Sequence, residues 1–170
     1  FAGDLNALGV AAAGFPARDY VLRPIEGTAR EYEYRRLAVL GDLVGGRLQA
    51  VCVPDEGLTQ YTTPRAEFCA NTRTLHPGDT LPRAELTALL YGAGYARRDQ
   101  VDGPGQFSIR GDIVDIYAPD MRQPARVEYW DDEIDSLASF DLLTQRRDGS
   151  LEKIYLSPAR EVLFGNTVQT

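Results

Sequence analysis

Arginine and tryptophan are the side chains with chemical potential in the most regularly patterned stretch of this chain, Gly105 to Arg147. Phe107 and Ile109 alternate with Gln106, Ser108 and Arg110. Val114 and Ile116 alternate with Asp115 and Tyr117, and Val127 and Tyr129 with Arg126, Glu128 and Trp130. Ile134, Ala138 and Phe140 carry the pattern on. A period of two puts Arg110, Arg126 and Trp130 on the polar faces of strands. A guanidinium fork grips carboxylates, and an exposed indole adds apolar area at low entropic cost. That mix suits a binding hot spot. The bland alternative is that Trp130 folds against a neighbouring element. The stretch holds nine acids against five arginines, so a protein partner bearing carboxylates fits better than a phosphate backbone.

Other motifs in the chain reduce to structure. Val127 to Glu133 (VEYWDDE) has the outline of an apolar strand followed by magnesium-holding acids. A nucleotide site also needs GxxxxGK[ST], whose lysine meets the phosphates. The single lysine, Lys153, sits in Leu151-Glu152-Lys153-Ile154 with no glycine loop, so the acids read as a turn and ATP binding is not expected. Gly103-Pro104-Gly105 reads as a turn rather than a dinucleotide fingerprint. One histidine, His76, cannot build a His-rich metal site and has no evident Ser or Cys partner. Asp131, Asp132, Glu133 and Asp135 read as a solvated charged edge that discourages strand-on-strand aggregation. Cys52 and Cys69 lie in apolar surroundings and read as reduced core thiols of a cytosolic protein. No catalytic residue, metal site, nucleotide site or cofactor is expected.

These residues need elements to hold them. With 170 residues, one domain or two small ones will fit around a real core. A net charge of −7 predicts weak, non-specific duplex DNA binding. No apolar run approaches a membrane span and no signal peptide is visible, so a cytoplasmic location is expected. The chain opens on Phe1, as an excised fragment would.

Gly3 to Leu8 suits the tail of a helix, and Val10 to Phe15 a buried strand. Thr28-Ala29-Arg30-Glu31 is a capping box opening a helix to about Leu43, with Tyr32, Arg36, Val39, Leu40 and Leu43 on one stripe. Leu48 to Val53 reads as a second strand, and Asp55 as the N-cap of a short helix to Tyr61. This alternation is a parallel α/β pattern. Glu67 to His76 reads as extended and Pro77-Gly78-Asp79 as a turn. Pro82 opens a helix buried through Leu86, Leu89 and Leu90. Strands follow from Tyr95, with a turn at Arg147 to Ser150 and a last strand at Ile154 to Leu156. A boundary near Gly78 is expected, separating a partial α/β piece (1–78) from a mostly antiparallel α+β domain (79–156), with 157–170 returning to the first piece.

The series from Gly105-Gln106-Phe107-Ser108-Ile109-Arg110-Gly111 through Asp112–Tyr117 and Arg126–Leu137 to Phe140-Asp141 and Thr144–Arg147 resembles the second domain of the UvrB family. Weaker similarity runs from about Phe15 to about Phe164. That domain occurs in the excision-repair helicase UvrB and in the bacterial transcription-repair coupling factor, Mfd. The resemblance implies a UvrA-docking module, with Arg110, Arg126 and Trp130 at the family's contact positions. Gly111-Asp112 matches UvrB, where coupling factors often have Gly-Gly, which puts a bulge with positive φ at the second position in doubt. Tyr129-Trp130 replaces a commoner Phe-Phe pair. UvrB also carries a strand-separating hairpin in its first domain, and too few residues lie between Asp19-Tyr20 and Thr28 to hold it. The resemblance therefore leans to the coupling factor, whose UvrB-like module is a degenerate, nucleotide-free helicase half. It implies a non-catalytic module that recruits UvrA, within a parent protein that engages RNA polymerase and DNA through other domains. The alternative is a fragment of the ATP-dependent helicase UvrB.

Overall fold

The computed structural model describes residues 1–18 and 28–161, and only the backbone of Thr28 and Ala29. The capping hydroxyl of Thr28, the 19–27 interval and the tail from 162 to 170 lie outside the described residues.

Helix α1 (Ala2–Ala7) leads into strand β1 (Ala12–Gly14), and helix α2 (Thr28–Val44) into β2 (Ala50–Cys52). The two strands pair in parallel, Ala12 opposite Ala50 and Gly14 opposite Cys52, the arrangement a strand–helix–strand unit favours. The buried positions of α2 include Arg36, Leu37 and Val39, whereas Tyr32 and Leu43 of the expected stripe are exposed. Glu31 accepts from Arg35 at 2.7 Å, one turn apart as helical spacing allows.

Helix α3 (Asp55–Leu58) is shorter than expected, and Pro54 is its N-cap, so Asp55 lies within the first turn. The segment expected to be extended contains helix α4 (Arg65–Ala70), anchored by buried Phe68, before strand β3 (Arg73–Leu75). Pro64 stands at the N-cap, and the Arg-Ala-Glu opening has good helix propensity. Helix α5 (Arg83–Gly92) starts after Pro82 and buries Leu86 and Leu90, while Leu89 faces outward. Neither cysteine is a core thiol: Cys52 is half-buried and Cys69, on α4, is exposed.

Six strands then form one sheet in chain order: β4 (Ala96–Arg97), β5 (Gln106–Arg110), β6 (Ile113–Tyr117), β7 (Ala125–Trp130), β8 (Glu133–Phe140) and β9 (Arg147–Ser150). β4 is parallel to β5 and every later pair is antiparallel. The Arg147–Ser150 segment is thus a paired edge strand rather than a turn. Strand β10 (Ile154–Leu156) leaves this sheet and pairs antiparallel with β3. The architecture therefore mixes helices and strands, with a parallel pair and a mostly antiparallel six-stranded sheet.

Register fixes which side chains share a face. Phe107 lies opposite Ile116, Val114 opposite Val127, and Val127 opposite Leu137. This inner face shares a core with Leu86 and Leu90 of α5 and with Leu75 and Leu156 of the β3–β10 pair. Burying each such side chain is worth about 1.5–3 kcal/mol, enough to hold the sheet in register. The β5–β6 hairpin turns at Gly111-Asp112. Gly111 takes φ 59° and Asp112 has no positive φ, so the tight turn needs glycine only at its first position.

Candidate functional site

The outer face of the sheet carries Arg110, Arg126 and Trp130 together. Arg126, Glu128 and Trp130 alternate with buried Val127 and Tyr129 along β7. Arg110 lies opposite Ile113, which lies opposite Glu128 in the next ladder, so all of them share that face. The expected parity holds, but the face is not uniformly wet.

Its centre is Asp115, opposite both Ser108 and Arg126, with a side chain wholly shielded from solvent. Arg126 donates from Nε to Oδ1 at 2.7 Å and from Nη2 to Oδ2 at 3.0 Å. Arg110 donates from Nη2 to the same Oδ2 at 2.6 Å. One carboxylate therefore holds two guanidiniums. The pairing with Asp115 raises the Arg126 pKa further, so that guanidinium stays charged. Below it lies the Phe140 ring, its centroid 4.8 Å from the guanidinium carbon. Arg126 keeps only 12% of its side-chain exposure, against 46% for Arg110. The expectation of a wet-face position is corrected for Arg126: it is packed between a buried acid and an aromatic ring. The hydroxyl of Ser108 is buried beside this group with no hydrogen-bond partner among the described residues.

Trp130 ends β7 and is 79% exposed, immediately before the Asp131-Asp132 turn in which Asp131 takes φ 58°. It does not fold against a neighbouring element. Between it and Arg126, Glu128 accepts from the Ser136 hydroxyl at 2.5 Å and from Arg147 on β9 at 3.3 Å. Arg83 of α5 braces the β5–β6 turn, donating to the Gly111 carbonyl and to Asp112, both at 2.6 Å. The surface thus presents a half-exposed arginine, a bare indole and a rim of partly satisfied charges, a set able to grip an acidic and apolar partner.

Sequence reasoning missed Asp115, Phe140 and Glu128 as parts of this surface. Alternation counts Asp115 as one more polar residue, and only the strand register, which sets it against Arg126, marks it as a buried hub. Elsewhere, His76 is exposed with Nδ1 3.6 Å from Asp79, and among the described residues no three His, Cys, Asp or Glu side chains gather as a metal cluster. No helix of the described residues is long and apolar enough to cross a membrane.

Comparison with known proteins places this surface in context. A family model described as the UvrB interaction domain matches residues 74–162, which take in the whole six-stranded sheet, β10 and all of β3 but Arg73. The chain is 31% identical over 150 residues to the transcription-repair-coupling factor of Bacillus subtilis (strain 168), covering 88% of this chain and 13% of that protein. It is 30% identical over 154 residues to the transcription-repair-coupling factor of Staphylococcus haemolyticus (strain JCSC1435), covering 91% of this chain and 13% of that protein. The figure is 29%, with the same coverage, for the transcription-repair-coupling factor of Staphylococcus aureus (strain MRSA252). The chain spans about an eighth of the length of these relatives (13%).

Proposed function

The chain belongs to the UvrB interaction domain family, and from that footing we propose that it is a non-catalytic protein-interaction module of a bacterial, cytoplasmic transcription-repair coupling factor. Its partner is UvrA, which it recruits for nucleotide excision repair where DNA damage blocks transcription. RNA polymerase and DNA are engaged by other parts of the parent protein. The relatives named above all carry the coupling-factor name, which favours this reading over a fragment of the helicase UvrB.

The observation that carries the proposal is Trp130, a large indole left 79% exposed on the same sheet face as Arg110 and Arg126. Burying so much bare apolar surface against a partner is favourable, and arginine beside it selects for carboxylates. The test is calorimetric titration of purified UvrA into this chain and into Trp130→Ala. Wild type binds, and the variant loses about 1–3 kcal/mol of affinity, the range of an anchor residue. Its melting temperature stays within the small shift of a surface change, about 0.5 kcal/mol. Absence of wild-type binding to UvrA, or equal affinity for the two proteins, refutes the assignment.

A further inference from the structure

We propose that Asp115 is the positioning residue of this docking surface: it holds Arg110 preformed for an incoming carboxylate. The inference rests on the UvrA-docking reading for its biological setting but on geometry for its substance. Arg110 sits near the end of β5 with 46% of its side chain exposed, where a long arginine would ordinarily sample many rotamers. Here one Nη2 is fixed at 2.6 Å on Asp115 Oδ2, leaving its other donors for a partner. Asp115 is itself immobile. Its carboxylate is fully buried and doubly gripped by Arg126, which is in turn sandwiched on the Phe140 ring. The order of support is therefore Phe140, Arg126, Asp115, Arg110, running from core to surface. Arg126 is mostly buried and contributes through this chain of contacts. Arg110 is the arginine that remains half-exposed to meet a partner.

Charge alone makes the opposite prediction, which is what makes the proposal testable. Asp115 is a negative charge in direct contact with both arginines. Removing it makes the face more positive, and simple attraction would then tighten binding to an acidic partner. Positioning predicts weaker binding, because Arg110 must be ordered at the moment of docking.

The experiment uses Asp115→Asn, Arg126→Met and the double variant. Side-chain arginine NMR of the free chain should show Arg110 Nε–H ordered in wild type and mobile in Asp115→Asn. Affinity for purified UvrA should fall roughly tenfold in Asp115→Asn, despite the more positive surface. If Asp115→Asn does not fold, the double variant, which removes both buried charges, replaces it. It should bind UvrA roughly tenfold more weakly than Arg126→Met alone. Equal or tighter binding on loss of Asp115, or an Arg110 already mobile in wild type, overturns the proposal. Failure of wild type to bind UvrA sinks the docking reading instead, and the NMR comparison still decides whether Asp115 orders Arg110.

Discussion

At the scale of single residues, a polar face and a wet face are different things, and Arg126 shows the difference. Alternation along β7 correctly separates Arg126 from Val127, yet both are removed from most solvent contact. Period two reports which side of the sheet a residue takes, and is silent on what covers that side. Two replacements at adjacent positions should therefore both lower stability, for different reasons. Val127→Ala opens a core cavity, costing about 1–3 kcal/mol. Arg126→Ala leaves Asp115, wholly shielded, with Arg110 as its one remaining cation among the described residues. That should cost about 1–3 kcal/mol too, below the full cost of breaking a buried pair because Arg110 remains. Thermal melts of the two variants check this. An Arg126→Ala protein that melts with wild type would show that the Asp115 contact contributes nothing net.

At the scale of elements, legibility in the sequence followed the strength of the local pattern. The strands β5 to β7 alternate over four or more residues and were readable with their faces, whereas on β8 a register shift beside Glu128 puts Ala138 and Phe140, read as one stripe with Ile134, on the Arg126 face instead. The β9 segment, Arg147-Asp148-Gly149-Ser150, has the composition of a turn and becomes a strand because β8 offers it an unpaired edge. Likewise α4 lacks a long apolar period and folds around the single anchor Phe68. Strand pairing also decides Asp120, in the β6–β7 connection. Its carboxylate accepts from the Ser157 hydroxyl, just after β10, at 2.5 Å, with Arg47 more distant at 3.5 Å. Burial raises its pKa despite these contacts. For an acid with a raised folded pKa, the native state binds the proton more tightly than the unfolded chain. Its contribution is then most favourable below the unfolded value of about 3.9 and is eroded as pH rises from there through the folded pKa. Asp120→Asn, which keeps an acceptor for Ser157, should remove that erosion and melt higher than wild type at pH 7. Melts across pH 3 to 7 read the effect, and a variant less stable than wild type at pH 7 would show that the Arg47 contact outweighs desolvation.

At the scale of the whole molecule, the question is what joins the α/β piece to the sheet. The sheet's core runs from Leu75 to Ala159 and includes neither Phe15 nor Leu37 nor Val39. Beside the Tyr34 ring of α2, which packs closely on Gly105, the link is a buried ion pair. Glu161, after β10 and fully buried, accepts from Arg36 of α2 through both oxygens at 2.7 Å, and Arg18 approaches at 2.9 Å. Arg36 also donates to the Pro16 carbonyl at 2.8 Å and to Thr62 at 3.1 Å, and lies over the Phe15 ring at 4.0 Å. The Glu161 backbone is held as well: its amide donates to Glu33, and its carbonyl accepts from Thr63. Arg36 was legible only as a member of a helical stripe, because its partner lies 125 residues away in the chain. Replacing a buried pair by apolar groups is often close to neutral, but losing one member leaves the other's charge less compensated. Arg36→Met should therefore cost about 1–3 kcal/mol, below the full cost of breaking a buried pair because Arg18 stays 2.9 Å from Glu161, and the loss should be local. Hydrogen exchange should accelerate in α2, β1 and β2, while amides of β5 to β8 keep their protection because their core is built without Arg36. UvrA affinity, measured well below the melt, should stay near that of wild type, since Asp115, Arg110 and Trp130 all belong to the sheet. Equal loss of protection in β5 to β8 would mean that the two parts unfold as one unit and that the ion pair supports the sheet as well as the joint.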